Sequence, residues 1–203
     1  MDIYLIRHGE TDYNREKRLQ GETDIPLNSR GIELAQMTAQ GMKNLHFDRI
    51  YTSPLVRAVK TAEIIRGDRD VPIIPTDGLK EISFGDYEGL TIKDGKYNIP
   101  DPDFLNFFQA PEKYHTPPGG ESIEHLKERT SSFLWSIIRD PELENLTILM
   151  SSHGAAIRGI LSGLLDLPVS RFWEGGVHKN CGVTLLHAEQ GQFEIVFENR
   201  VYY

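Results

Sequence analysis

Cysteine is nearly absent from the chain. Cys181 is the single one, which excludes a disulfide within the chain, Cys-x-x-Cys redox chemistry and a cysteine-based zinc cluster, and points to a buried, inert thiol. Long apolar runs are missing as well. Arg158 breaks the longest candidate, so no segment is expected to span a bilayer. The N-terminal apolar stretch carries Asp2 where a signal peptide needs positive charge, and it stops at Arg7. Positive charge is scarce: 22 Lys and Arg face 30 Asp and Glu, a formal net charge of -8, and the basic residues are scattered. Such a balance disfavours nucleic acid and anionic membranes as partners. His46, His115, His125, His178 and His187 show no His-x-His or His-Glu-x-x-His spacing, which predicts no catalytic metal and no cofactor. No Gly-x-Ser-x-Gly turn surrounds Ser151 or Ser152, which argues against a serine hydrolase. Repeats, low-complexity tracts and linkers are also lacking. Together these absences predict one soluble, cytoplasmic domain over residues 1–203, with the oligomeric state left open.

At 203 residues and 39% hydrophobic content, the chain can bury a sizeable core. Strand-like runs stand at Ile3 to Ile6, Arg49 to Thr52, Val71 to Ile74, Leu146 to Met150, Val183 to His187 and Phe193 to Phe197. Helical patterns separate most of them. Spacing predicts one helix from about Ser29 to Asn44 with Ile32, Ala35, Ala39 and Met42 inward. A second should start with Ser53 as N-cap and Pro54 at its first position, burying Leu55, Ala58, Val59, Ala62 and Ile65 and leaving Arg57 off the stripe. A third runs from about Ser122 to Arg139, and a fourth from Ala155 to Leu165. This alternation predicts a three-layer α/β/α fold with a mostly parallel mixed sheet and an antiparallel hairpin at one edge. The proline-rich stretch 87–118 reads as a small inserted cap of short helices and irregular loops.

Two histidines occupy equivalent settings. Arg7-His8-Gly9-Glu10 follows the first strand-like run, and Ser151-Ser152-His153-Gly154 follows the fourth. Ligands of open α/β sheets bind outside the carboxyl ends of strands, so the two rings are expected to meet across one crevice. A neutral imidazole is a nucleophile near neutral pH without an assisting base. Its best electrophile is a phosphoryl group, whose transfer depends on positioning and on stabilising oxygen charge. Arg7 and Arg57 suit that task through their planar forks, and the helix carrying Arg57 in its first turn offers free amides to an anion. Each residue alone has a plainer reading: Arg57 as a solvated helix arginine, His153 as a helix cap, Glu81 as the solvent face of an edge strand. The aromatics Tyr97, Phe104, Phe107, Phe108 and Tyr114 read first as local packing.

Taken in order, the motifs resemble the histidine phosphatase superfamily, which includes cofactor-dependent phosphoglycerate mutases and many small phosphatases. The similarity runs through Arg7-His8-Gly9-Glu10-Thr11 with Asn14, Leu19-Gln20-Gly21 with Asp24, Pro26-Leu27 and Gly31. It continues through Thr52-Ser53-Pro54-Leu55 with Arg57, Ala58, Thr61 and Ala62, then Glu81, Phe84-Gly85, Glu88-Gly89, Pro118-Gly119-Gly120-Glu121-Ser122 and Ser152-His153-Gly154. Tyr87 stands where relatives often have tryptophan. The resemblance implies that His8 becomes a phosphohistidine and that Arg7, Arg57 and His153 hold the phosphoryl group. Asn14, Gln20, Gly21 and Gly154 then join the substrate pocket, and Glu81 is the proton donor. It implies a phosphomonoester hydrolase acting on a small phosphorylated metabolite. Phosphoglycerate mutase-type transfer and a non-catalytic phosphate-binding regulator are the alternatives. The compact path from Glu81 to Glu121 and the Gln20-Gly21 pair resemble the phosphatase branch.

Overall fold

The computed structural model describes residues 1–93 and 95–203. Six strands form one mixed sheet: β1 (Asp2–Arg7), β2 (Arg49–Thr52), β3 (Ile73–Pro75), β4 (Thr147–Ser152), β5 (Val183–Glu189) and β6 (Gln192–Arg200), in spatial order β3-β2-β4-β1-β5-β6. The first four are mutually parallel, and β5 and β6 run antiparallel as an edge hairpin. The longer helices are α2 (Ser29–Gly41), α3 (Val56–Arg66), α5 (Ile123–Ile138) and α6 (Gly154–Leu164), and the short ones α1 (Asp12–Glu16) and α4 (Asn106–Gln109). Among the described residues, no helix is long and apolar enough to cross a membrane.

The continuous apolar run of β1 is required because both faces of the sheet are covered. Successive side chains point to opposite faces. Ile3 and Leu5 accordingly join a core with Leu134, Ile137, Ile157 and Ile160 of α5 and α6. Tyr4 and Ile6 join another with Leu34, Ala35, Ala62 and Ile65 of α2 and α3. Contact between α5 and α6 is close enough that a Cβ on Gly159 would lie 2.6 Å from Thr130 Oγ1, so a larger residue would force the helices apart.

Several local expectations shift. In α2, Ile32 is 36% exposed and the buried face is Gly31, Leu34, Ala35 and Thr38. Helix α3 begins at Val56, after Leu55, and not at Pro54. Asp24 Oδ1 accepts the Val56 N–H at 2.7 Å, so the cap comes from a loop distant in sequence, and Ser53 Oγ instead accepts the Leu55 N–H. Strand β3 is displaced to Ile73–Pro75. Strand β4 runs on through Ser151 and Ser152, directly up to His153. The segment 87–118 holds α4 and a 3-10 turn at Pro111–Lys113. Its Ile99, Phe104 and Phe107 pack with Leu19, Ile82, Phe84, Ala155 and Phe172 in a third core.

Candidate active site

Register builds the site. Arg7 lies opposite Ser152 in the parallel pair β1–β4, so the next residues, His8 and His153, leave adjacent strand ends side by side. The His8 amide donates to Ser152 O at 2.9 Å, and the two rings sit 5.1 Å apart, centre to centre, at 60°. Room for this junction comes from two glycines: a Cβ on Gly9 would lie 2.5 Å from Gly31 O, and one on Gly31 would lie 2.1 Å from Glu10 O. Helix α2 can then start against the Arg7–Glu10 backbone, where Asn28 N donates to Glu10 O.

Hydrogen bonds fix both imidazole tautomers. Nδ1 of His8 lies 2.6 Å from Gly9 O; a carbonyl only accepts, so Nδ1 carries the proton and Nε2 keeps its lone pair. Arg57 Nε donates to His153 Nδ1 at 3.2 Å, which leaves the proton of His153 on Nε2. That buried atom has no partner. One ring therefore offers a nucleophile and the other a donor. Burial holds both rings well below the usual histidine range, with Arg57 and Arg7 depressing His8 further and Arg57, His8 and Arg7 depressing His153. Both are neutral at physiological pH.

Arg57 is fully buried, although its position off the apolar stripe suggested a solvated residue. Its Nη1 and Nη2 donate to Thr23 O and Gly21 O at 2.8 and 2.7 Å, and burial pushes its pKa down to about 10, which leaves it charged. Those carbonyls are organised by Glu88, whose carboxylate accepts from the amides of Glu22, Thr23 and Phe84. Arg7 donates from Nη1 to His178 O, while its buried Nε has no partner.

Glu81 is not in a strand. Its carboxylate accepts from the amides of Ile82, Ala155 and Ala156 at 3.1, 3.2 and 2.9 Å and so caps the start of α6, where anions are favoured. At the start of α3, which was expected to offer free amides to an anion, the Val56 amide is taken by Asp24, and Glu81 does the same for two amides of α6. His153 precedes α6 but makes no side-chain cap.

Beside these groups opens a cavity of about 240 Å³, lined by Arg7, Asn14, Gln20, Gly21, Glu81 and Gly154 together with Tyr13, Lys17, Arg18, Leu19, Phe84, Ile92, Phe107, Phe108, Ala155, Trp173 and Val177. His8, Arg57 and His153 do not line it; they are buried, at 2%, 0% and 0% exposure. Phe107 and Phe108 reach the cavity, whereas Phe104 is buried and Tyr97 is exposed. Asp24 and Glu88 stand among the motif residues without an assigned role, and Asn180, whose Nδ2 donates to His8 O at 3.1 Å, lies outside every motif. Among the described residues, no group of three or more His, Cys, Asp or Glu is placed to hold a metal ion.

Two histidines and two arginines at the carboxyl ends of a mostly parallel sheet define a phosphoglycerate mutase-like α/β protein. Residues 3–200 match the histidine phosphatase superfamily (branch 1), and the chain belongs to that family. PhoE of Bacillus subtilis (strain 168), an uncharacterized phosphatase, is 37% identical over 160 residues, covering 79% of this chain and 75% of its own. Phosphoserine phosphatase 1 of Hydrogenobacter thermophilus is 31% identical over 188 residues, covering 93% and 87%. Among solved structures, YhfR of Bacillus stearothermophilus superposes with a TM-score of 0.90 at 34% identity, covering 98% and 97%. Phosphoserine phosphatase of Entamoeba histolytica in complex with 3-phosphoglyceric acid gives 0.82 at 34%, covering 98% and 97%.

Proposed function

We propose that the protein hydrolyses phosphomonoesters of small metabolites through a covalent phosphohistidine at His8, without a metal. The observation that carries this reading is the pairing of tautomers: a neutral His8 with its Nε2 lone pair free, next to a neutral His153 whose Nε2 proton has no partner. In the first step Nε2 of His8 attacks phosphorus and the bond to the ester oxygen breaks. Arg7, Arg57 and His153 hold the non-bridging oxygens as charge develops, and Asn14, Gln20 and Gly154 border the bound group. Glu81, in its protonated form, gives its proton to the leaving alkoxide. In the second step water attacks phosphorus, Glu81 takes its proton, and the bond to His8 breaks to release inorganic phosphate and the free imidazole.

The wall made by Phe84, Phe107, Phe108 and Trp173 suits an alcohol with apolar surface. Lys17 at the same cavity supplies positive charge in an otherwise acidic protein, while Arg18 beside it is ion-paired to Glu16. Relatives named phosphoserine phosphatase support a small anionic ester, and the stretch 87–118 acts as the cap that selects it. Escherichia fergusonii has a relative named probable phosphoglycerate mutase GpmB, 31% identical over 195 residues, which makes isomerisation the second reading.

The test is turnover of a chromogenic phosphate ester in excess chelator by the wild type and by His8→Ala, with rapid neutral quench and intact-mass analysis. An adduct of about 80 Da, one PO₃H unit, on the wild type alone is expected. Loss of turnover on chelation, or full activity in His8→Ala, would overturn the mechanism. Labelled 3-phosphoglycerate separates release of phosphate from formation of an isomer.

A further inference from the structure

The side chain of Asn180 lies in the turn before β5 and touches two members of the site from the far end of the sequence. Its Nδ2 donates to His8 O at 3.1 Å and to Asn14 Oδ1 at 3.3 Å. The turn itself is tied to the strand end: Gly182 O accepts the Arg7 amide at 3.1 Å, Cys181 N donates to Arg7 O at 3.0 Å, and Tyr203 Oη donates to Asn180 O at 2.8 Å.

What this does to Asn14 follows from counting donors. Asn14 Oδ1 lies 3.2 Å from the Thr11 amide nitrogen and 3.2 Å from Thr11 Oγ1. The single hydroxyl proton of Thr11 has a shorter acceptor in Gln20 Oε1, at 2.8 Å. Oδ1 of Asn14 is then held by two N–H donors, Thr11 N and Asn180 Nδ2. A rotated amide would set its NH₂ group against both, leaving donor facing donor. Asn14 is therefore locked with its oxygen turned to Thr11 and Asn180. Its Nδ2 has no partner among the described residues, and Asn14 lines the cavity.

We propose that Asn180 is a positioning residue for phosphoryl binding: anchored on the His8 carbonyl, its amide fixes the orientation of Asn14 so that Asn14 Nδ2 presents its two N–H groups to the phosphoryl oxygens. Asn180 does not line the cavity and acts on the substrate only through Asn14. This inference rests on the reading of the cavity as a phosphoryl pocket.

A double-mutant cycle tests it, with kcat and KM for a chromogenic phosphate ester and the affinity for vanadate measured in wild type, Asn180→Ala, Asn14→Ala and the double variant. Asn180→Ala is expected to lower kcat/KM by about 10-fold and to weaken vanadate by a similar factor, because a pre-oriented donor is lost. In the Asn14→Ala background the same change should cost less than about 3-fold. Tyr203→Phe removes another hydrogen bond of the turn and serves as the structural control; its kinetics should match wild type. Should Asn180→Ala not fold, Asn180→Ser gives the same comparison. An equal loss in both backgrounds, or wild-type kinetics in Asn180→Ala, overturns the proposal. If wild type hydrolyses no ester, the functional reading fails, and vanadate then decides: weaker binding in Asn180→Ala supports the positioning role and equal binding overturns it. Wild type that binds no vanadate overturns both.

Discussion

Replacing His178 by glutamine isolates the share of acid instability that its own ring contributes. His178 is 1% exposed, its Nε2 lies 2.6 Å from Thr184 Oγ1, and its Nδ1 has no partner. Burial, followed by the charges of Arg158 and Arg7, pushes its pKa down to about 3, against about 6.5 in an unfolded chain. The folded state therefore keeps this ring neutral while the unfolded state takes up a proton below about pH 6.5, so the contribution of His178 is intact above that pH. It is lost progressively as the pH falls toward about 3. Each pH unit in that window costs about 1.4 kcal/mol, so at pH 4.5 the loss is about 2.7 kcal/mol. His178→Gln removes the titration but also weakens the link to Thr184, at about 1 kcal/mol. Urea unfolding followed by circular dichroism between pH 7.5 and 4.5 should show the variant less stable at neutral pH and more stable at pH 4.5, with the curves crossing near pH 6. The backbone carbonyl that holds Arg7 is unchanged. Parallel curves across the whole range would refute the reasoning, because the carboxylates that drive ordinary acid unfolding are common to both proteins.

Arg158 is buried and ion-paired to Glu198, which is 29% exposed. Glu198→Ala should cost about 3 kcal/mol by leaving the guanidinium uncompensated, and adding Arg158→Met should restore most of it; urea midpoints report both. Gly31→Ala forces a methyl group to 2.1 Å from Glu10 O and should cost about 3 kcal/mol or more and abolish ester turnover, whereas wild-type stability would show that α2 can retreat without disturbing His8. Inorganic phosphate at 100 times its dissociation constant should raise stability by about 2.7 kcal/mol, roughly 5–10 °C in Tm, while chloride at equal ionic strength should not; equal melting in both salts would count against an anion site at Arg7 and Arg57.

The sheet and the placement of the histidines were legible because both rest on local signals, apolar runs ended by polar residues. The order of runs predicted the mixed sheet with its edge hairpin, and the structure has both. Burial of Arg57 was not legible, since its carbonyl partners come from residues 34 and 36 positions earlier and periodicity within a helix says nothing about a neighbouring loop. The start of α3 was misplaced for the same reason, with Asp24 capping Val56 from 32 positions away. Ile32 was assigned inward on spacing alone, whereas the close approach of Gly31 to Glu10 rotates the buried face of α2 toward Gly31, Leu34 and Ala35. Asn180 lies 172 and 166 positions from its partners, a distance that no short motif spans.

Strand β1 is hydrogen-bonded on both sides, to β4 and β5, and β4 likewise to β1 and β2. Amide protons there should exchange with solvent only when the whole molecule opens. The ring that would be phosphorylated on the proposed reading therefore follows directly on that strand, whereas Phe107 and Phe108, which reach the cavity, come from outside the sheet. Substitution of Phe108 should therefore reshape the cavity wall and leave the alignment of the two imidazoles untouched.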